Sequence, residues 1–164
     1  MSKIAVFYGS TTGTCETLAG QIAEKLGTSD VFSAADLDDA KIAEYDVLVL
    51  GSSTWGDGEL QDDWYDAVET LKKADLSGKK VALFGCGDSA SYTDTFCSAM
   101  GIIYEAVAGA TVVGKGISTD GYSFSNSLAV VDGAWVGCAL DEVNESDQTA
   151  ARIDAWVAKV KSEL

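Results

Sequence analysis

The sequence predicts an α/β fold in which a doubly wound parallel sheet is covered by helices. Two segments, DVLVLG at residues 46–51 and KKVALFG at residues 79–85, have the length and apolar composition of buried strands. Other segments have apolar residues at helical spacing, such as Leu18, Ile22 and Leu26, which lie four residues apart. Alternating strands and helices are typical of βαβ units, whose parallel strands bind ligands at their carboxyl ends.

The first half of the chain contains four strands and two helices in this pattern. Residues 3–8 contain a short apolar run, and residues 16–26 form the first amphipathic helix. A weaker strand is predicted at residues 31–34, before the strong strands at 46–51 and 79–85. Between those two, Trp64, Val68 and Leu71 indicate a helix over residues 62–73.

The second half continues the alternation. A helix is predicted over residues 94–108, followed by strands at 111–113 and at 135–140, where the sequence is WVGCAL. Ile153, Val157 and Val160 indicate a last helix over residues 147–164. With 164 residues, of which 47% are hydrophobic, the chain has the size and core of one domain, residues 1–164.

Composition excludes several kinds of site. The four cysteines form no CxxC pair, and there is no histidine to complete a zinc site or to act as the usual general base. We therefore expect no metal, and reduced thiols in a cytoplasmic protein. The sequence has neither the pattern of a signal peptide nor an apolar stretch long enough to span a membrane.

The charge is strongly acidic and unevenly distributed. The formal net charge is −15, from 26 acidic and 11 basic residues. No Lys or Arg occurs between Lys41 and Lys72, or between Lys115 and Arg152. Nucleic acid and anionic membranes are therefore poor partners, whereas a basic protein surface would be attracted. The alternative is that the excess of acid serves solubility alone.

The first loop has the features of a phosphate site. Gly9 and the small hydroxylated residues after it connect the first strand to the first helix, where backbone N–H groups and the helix dipole attract an anion. The loop lacks the Lys of a Walker motif and does not match GxGxxG, so a single phosphate monoester fits better than a triphosphate with magnesium. The alternative is an ordinary capped helix.

Three loops should meet at one edge of the sheet, since each follows a strong strand. They cover residues 9–15, 52–60 and 85–93. Trp55 lies in the second and Tyr92 in the third, so the two aromatic rings could enclose a flat ligand. Either aromatic could instead fold back onto the protein. Asp88 could face the edge of the ligand ring or form an Asx turn. Phosphate at one loop and a planar ring between the other two indicate a mononucleotide.

Five segments together resemble the flavodoxins of the long-chain subgroup. They are KIAVFYGSTTGTCETLA, STWGDGELQDDW, LFGCGDSASYTDTF, STDGYSFSNS and VGCALDEVNESD, and the resemblance covers essentially the whole chain. It implies a three-layer, flavodoxin-like α/β fold with a five-stranded parallel sheet in the order 2-1-3-4-5. It also implies that an insertion at residues 115–136 splits the last strand.

The resemblance also implies the cofactor and the residues that bind it. The cofactor is FMN, and the phosphate loop corresponds to Ser10, Thr11, Thr12, Gly13, Thr14 and Cys15. Trp55 and Tyr92 correspond to the stacking aromatics, within a second loop that includes Ser53, Thr54, Trp55, Gly56, Asp57 and Gly58. Gly56 and Asp57 lie beside flavin N5, and the pyrimidine edge is lined by Cys86, Gly87 and Asp88.

Two cysteines depart from the family pattern. Cys15 stands where Thr is usual, which removes one hydroxyl donor to the phosphate. It is either a small buried residue or, at a helix N-terminus, a thiol with thiolate character. Cys97 stands where a longer polar residue would lie near the edge of the ring, so a hydrogen bond is in question there.

By this resemblance the chain is a monomeric, low-potential, one-electron carrier and not an enzyme. It shuttles between semiquinone and hydroquinone and passes electrons between redox proteins with basic docking faces. Nearby acids and stacked aromatics disfavour the reduced anion, which makes the protein a strong reductant. Two alternatives share the fold. One is an FMN-dependent NAD(P)H or quinone reductase, and the other is a phosphoryl-accepting receiver module, which needs acidic residues where this chain has Gly9 and Ser10.

Overall fold

In a computed structural model of the protein, residues 3–9, 13–55 and 59–164 are described, except for the side chain of Trp55. The strands are β1 (Ile4–Gly9), β2 (Val31–Ser33), β3 (Val47–Trp55), β4 (Glu59–Leu60), β5 (Lys80–Cys86), β6 (Thr111–Val113), β7 (Ile117–Ser118), β8 (Val130–Val131), β9 (Ala134–Trp135) and β10 (Cys138–Leu140). The α-helices are α1 (Thr14–Leu26), α2 (Asp39–Glu44), α3 (Trp64–Lys73), α4 (Ser98–Ala106) and α5 (Thr149–Glu163). Short 3-10 helices lie at Ala34–Asp36 and Ser146–Gln148.

The main sheet has the order expected from the resemblance. Its path is β10-β5-β3-β1-β2, and these neighbours are all parallel. Both β6 and β10 pair with β5 on the same side, β6 along residues 80–82 and β10 along residues 84–86. The two short strands thus share one strand position, which confirms that an insertion splits the last strand.

The insertion forms a small sheet of its own, in the order β7-β9-β8, with antiparallel pairing. Its core is an aromatic cluster around Trp135, whose ring lies 4.9 Å from Phe124 and 5.2 Å from Tyr122 between centroids. Arg152 of α5 lies over the Tyr122 ring at 3.8 Å and donates to the Gly121 carbonyl at 3.0 Å. The insertion is therefore packed against the last helix.

Alternate residues of the central strands fill two separate cores, one on each face of the sheet. In β3, Leu48 and Leu50 pack with Trp64 of α3 and Met100 of α4. Val47 and Val49 pack on the opposite face, in the core that α1 and α5 cover. Burial on both faces explains why the strands are continuous apolar runs, and it confirms the three-layer arrangement.

Several predicted boundaries are wrong. Helix α1 begins at Thr14 instead of residue 16, and α4 begins at Ser98 instead of residue 94, because successive turns and a left-handed Cys97 (φ 56°) precede it. Residues 135–140 are divided between the two sheets, in β9 and β10, instead of forming one strand. The sequence patterns did not predict α2 or the strands β4, β7 and β8.

No helix in the described part of the chain combines the length and the apolar character needed to cross a membrane.

Candidate functional site

The carboxyl ends of three central strands lie side by side, as predicted. The pairing places Gly9 of β1 opposite Ser52 of β3, and Ser52 opposite Gly85 of β5. The loops that leave these strands therefore begin at the same edge of the sheet. Parallel α/β sheets bind ligands at this edge.

An open cavity of about 200 Å³ lies at this edge, and it is lined by the start of α1, the end of β3 and the segments that follow β5 and β10. The lining residues are Thr14, Ser53, Thr54, Cys86, Gly87, Asp88, Tyr92, Glu142 and Val143. The sequence predicts all of them as site residues except Glu142 and Val143. Those two belong to the loop after β10, where the VGCALDEVNESD segment resembles the family but no individual residue indicated a contact.

At one end of the cavity is the N-terminus of α1. Gly13 precedes the helix with φ 91°, a left-handed conformation that disfavours any residue with a side chain, although an added Cβ would meet nothing within 4 Å. The Thr17 hydroxyl donates to the Gly13 carbonyl at 3.0 Å. The positive end of the helix dipole thus lies at the cavity, as an anion site requires.

Part of the predicted site lies outside the described residues. In the first loop these are Ser10, Thr11 and Thr12, and in the second loop they are Gly56, Asp57 and Gly58. Trp55 is described only as the last residue of β3. The roles predicted for these residues stay predictions.

The base of the second loop is fixed by buried polar contacts. Trp64 donates its indole N–H to the Gly51 carbonyl at 2.7 Å, and the Gln61 backbone N–H donates to the Ser52 hydroxyl at 3.2 Å. Gly9 faces the same indole so closely that a Cβ there would lie 2.5 Å from it. The Thr54 hydroxyl accepts from the Ala99 N–H of α4 at 3.2 Å. These contacts hold the carboxyl ends of β1 and β3 against α3 and α4.

The Asp88 carboxylate forms an Asx turn, one of the two roles considered for it. It accepts from the backbone N–H groups of Ala90 at 3.2 Å and Ser91 at 3.1 Å. It also accepts from the Asn144 amide at 2.8 Å. The hydrogen bond from Asn144, followed by those from Ser91 and Ala90, lowers the pKa of Asp88 and keeps it ionised. Its contact with the edge of a ring stays a prediction.

A second carboxylate, Asp141, joins the loop after β5 to the loop after β10. It is fully buried and accepts from both the backbone N–H and the hydroxyl of Ser89. The Asn144 backbone N–H donates to the same carboxylate at 3.0 Å, while its side chain reaches Asp88. Two walls of the cavity are thereby tied together.

Tyr92 lines the cavity with 44% of its surface exposed, so it does not fold back into the core. Its backbone N–H donates to the Asp88 carbonyl at 2.9 Å, which places it at the end of the Asp88 turn. A half-exposed aromatic ring on the wall of a cavity is suited to stacking against a flat ligand.

The cysteines of the predicted site differ in position. Cys86 lines the cavity, and Cys15 is buried behind it with its Sγ 3.2 Å from the Cys86 Sγ. The hydrogen bond with Cys15, together with burial, raises the pKa of Cys86. Cys15 is thus a small buried residue, the first of its two interpretations.

Cys97 is fully buried, its Sγ lies 3.8 Å from the Leu140 carbonyl, and it does not line the cavity. Burial raises its pKa.

The charges around the cavity have one sign. Asp88 and Glu142 line it, and none of the described lining residues is Lys or Arg. The described residues also contain no group of three or more His, Cys, Asp or Glu side chains placed to hold a metal ion. The site therefore combines a helix N-terminus, an aromatic ring and acidic walls.

Comparison with known proteins decides the family. The model of the family described as Flavodoxin matches residues 6–156. The chain belongs to the flavodoxin family. It is 42% identical over 174 residues to Flavodoxin 1 of Azotobacter vinelandii, covering 100% of this chain and 98% of that protein. It is 44% identical over 167 residues to a flavodoxin of a Nostoc species, covering 99% of this chain and 97% of the relative.

Solved structures give the same result for the fold. A Fusobacterium nucleatum flavodoxin bound to flavin mononucleotide superposes with a TM-score of 0.92 at 30% identity, covering 100% of this chain and 99% of that one. Oxidised Flavodoxin 2 of Bacillus cereus gives a TM-score of 0.74 at 27% identity, covering 99% and 100%. The flavodoxin-like fold and the predicted family are confirmed.

Proposed function

We propose that this flavodoxin binds one FMN in the cavity at the carboxyl edge of the sheet and carries single electrons between redox proteins. The observation that supports it most is that the N-terminus of α1 and the half-exposed Tyr92 lie on the same open cavity. A phosphate and a flat ring are the two chemical groups that these features suit. The relative from Fusobacterium nucleatum was solved with flavin mononucleotide bound, which supports the same cofactor here.

The residues of the cavity fit the parts of FMN. The backbone N–H groups and hydroxyl at Gly13 and Thr14 suit its phosphate, and Tyr92 suits a face of its ring. Cys86 and Gly87 line the same cavity and suit the edge of the ring. The roles implied for Ser10 to Thr12, for Trp55 to Gly58 and for Cys15 are part of this proposal, whereas Cys97 is buried away from the cavity.

When bound, FMN supplies the reversible uptake of electrons, and the protein sets how strongly they are held. The carboxylates of Asp88 and Glu142 lie on the cavity wall, and Asp88 is held ionised by its hydrogen bonds. Negative charge at close range raises the energy of any further negative charge in the cavity. A half-exposed Tyr92 covering one ring face excludes water, which strengthens that effect. The protein would thereby release electrons at a low potential.

The affinity for the phosphate group tests the site directly. FMN and riboflavin differ in the phosphate, so apoprotein titrated with each should bind FMN far more tightly. Thr14→Val removes a hydroxyl at the helix N-terminus and should weaken FMN binding about tenfold while leaving riboflavin within about twofold. Thr70→Val is the matched control, because Thr70 lies in α3 and bonds the Asp66 carbonyl. Equal losses for both ligands in Thr14→Val would contradict phosphate binding at α1.

The proposal also includes redox partners with basic docking faces. The chain itself would be a monomeric, single-domain protein in the cytoplasm. The net charge of −15 and the exposed side chains of Glu59 and Asp62 near the cavity loops support such partners. Four free thiols suit a reducing compartment. Electron transfer to a basic redox protein should slow with added salt, as the Debye length falls to about 8–10 Å at physiological salt. A rate that is flat or rises with ionic strength would contradict partners with basic docking faces. Steady-state oxidation of NAD(P)H by the pure protein would contradict the role of a simple electron carrier.

A further inference from the structure

Two cysteines from distant parts of the chain meet beneath the proposed FMN cavity. Cys15 is the second residue of α1 and Cys86 is the last residue of β5, and both are free thiols. Their Sγ atoms lie 3.2 Å apart. A disulfide requires an S–S distance of about 2.05 Å, so the two sulfur atoms need to approach by roughly 1 Å.

Only one residue of this pair lines the cavity. Cys86 lines the cavity wall and is 6% exposed, whereas Cys15 is fully buried behind it. A small oxidant that enters the open cavity would therefore meet Cys86 first, with Cys15 in position as the second thiol. The other two cysteines are directed at backbone carbonyls, Cys97 at that of Leu140 and Cys138 at that of Arg152, each at 3.8 Å.

We propose that Cys15 and Cys86 are an oxidation site that closes a disulfide beneath the cavity when the cavity is empty. With a peroxide as oxidant, the Cys86 sulfur attacks the O–O bond and becomes a sulfenic acid, releasing one water. The Cys15 sulfur then attacks the Cys86 sulfur, and the displaced hydroxide leaves as a second water with the Cys15 proton. Two thiols and one hydrogen peroxide thus give one disulfide and two waters.

The reaction should be slow and should compete with FMN. Burial and the hydrogen bond to Cys15 raise the pKa of Cys86, so little of the reactive thiolate is present at neutral pH. A ligand in the cavity would cover Cys86 and keep an oxidant from reaching it, and a disulfide would in turn fix the first turn of α1 against β5. A bound ligand should therefore slow the oxidation, and the disulfide should weaken ligand binding. This competition rests on the proposed function, whereas disulfide formation by the apoprotein does not.

The test is peroxide oxidation of the full chain with and without FMN, followed by alkylation of free thiols, intact mass and peptide mapping. We expect the apoprotein to lose two hydrogen atoms and to give one cross-linked peptide containing Cys15 and Cys86, which dithiothreitol reverses. Saturating FMN should slow this by at least about fivefold. Cys138→Ser should still form the cross-link, and Cys15→Ser should not.

Three results would overturn the inference. They are a wild-type apoprotein that keeps four alkylatable thiols, a cross-link that joins Cys97 or Cys138 instead, and oxidation that is equally fast with FMN bound. The wild-type peptide map is decisive even where a variant fails to fold. A protein that binds no FMN but forms the Cys15–Cys86 cross-link would contradict the proposed function and leave the oxidation site standing.

Discussion

The wall of the cavity that follows β5 and β10 is held by side chains, whereas the wall at the start of α1 is shaped by the backbone. We call the first the network wall, formed by Asp88, Ser89, Asp141 and Asn144, and the second the helix wall, formed by Gly13 and Thr14. On the network wall, carboxylates accept from loop N–H groups and so fix the loops. On the helix wall, a left-handed glycine directs the start of a helix at the cavity.

The difference indicates what each wall contributes. A satisfied buried network makes a rigid surface whose shape does not depend on a ligand. The first N–H groups of a helix have no acceptor within the helix, and a bound anion can accept their hydrogen bonds. The network wall should therefore govern stability as well as binding, and the helix wall should govern chiefly the affinity for the phosphate.

The largest effect should come from breaking the network wall at Asp141. Asp141→Ala leaves the buried N–H and hydroxyl of Ser89 without their acceptor and releases Asn144. We expect a loss of about 3 kcal/mol in the free energy of unfolding, measured by urea denaturation of the apoprotein. Asp147→Ala, at an exposed position, should change it by less than about 0.5 kcal/mol. A loss under about 1 kcal/mol at Asp141 would mean that the network does not hold the loops.

A substitution at Tyr92, on the same wall, should change the affinity for FMN without changing the stability of the fold. Since 44% of its surface is exposed, Tyr92→Leu should leave the unfolding free energy of the apoprotein nearly unchanged. Loss of a stacking ring should weaken FMN binding about tenfold, as measured by fluorescence titration. Tyr65→Leu is the matched control, because Tyr65 is 49% exposed on α3 and does not line the cavity. Equal effects of the two changes on FMN binding would remove Tyr92 from the site.

Two glycines of the first βα unit should respond in opposite directions to the same substitution. Gly13 has φ 91°, so Gly13→Ala should cost about 1 kcal/mol of unfolding free energy through backbone strain. Gly20 lies inside α1 with nothing within 4 Å of an added Cβ, so Gly20→Ala should stabilise by about 0.5–1 kcal/mol. Denaturation of both variants measures the contrast. A Gly13→Ala protein as stable as Gly20→Ala would show that the helix wall does not need the left-handed turn.

Much of the sheet was predictable because its strands are buried on both faces. A central parallel strand such as β3 begins as a continuous apolar run, a pattern that few other short elements produce in a chain of this composition. Helix α2 was missed because it has six residues and a single buried side chain, Ile42. The predicted start of α4 was wrong because Cys97 is left-handed and turns precede it, so the helix begins only at Ser98. No residue type in that segment indicates these turns.

Residues that line the cavity were predicted where they follow strong strands and missed on the loop after β10. Val143 is 69% exposed and Glu142 is an ordinary surface type, so neither suggested a cavity wall. The pairing of Asn144 with Asp88 joins positions 56 residues apart, and it depends on which strands become neighbours in the sheet. Contacts between loops of this kind follow from the fold, and a single sequence contains no local signal for them.

The smallest effect, and the most specific, concerns the pH dependence that Asn144 gives to the network wall. The amide of Asn144 is the first cause of the lowered pKa of Asp88, whose ordinary value is 3.8. A carboxyl group with a lowered pKa in the folded state stabilises the fold above its unfolded value, and this contribution disappears as the pH falls through the folded value. Asn144→Ala keeps the backbone bond to Asp141 and should lose two contributions: one from the side-chain amide bonds to Asp141, and one of about 0.5 kcal/mol from the bond to Asp88 that is present at about pH 6 and absent well below 3.8. Measuring unfolding at several pH values in the wild type and in Asn144→Ala gives the two contributions together. In an Asp88→Asn background the contribution from the bond to Asp88 should vanish, while the contribution from the bonds to Asp141 remains. If the effect of Asn144→Ala varies with pH just as strongly in that background, another carboxylate, and not Asp88, responds to Asn144.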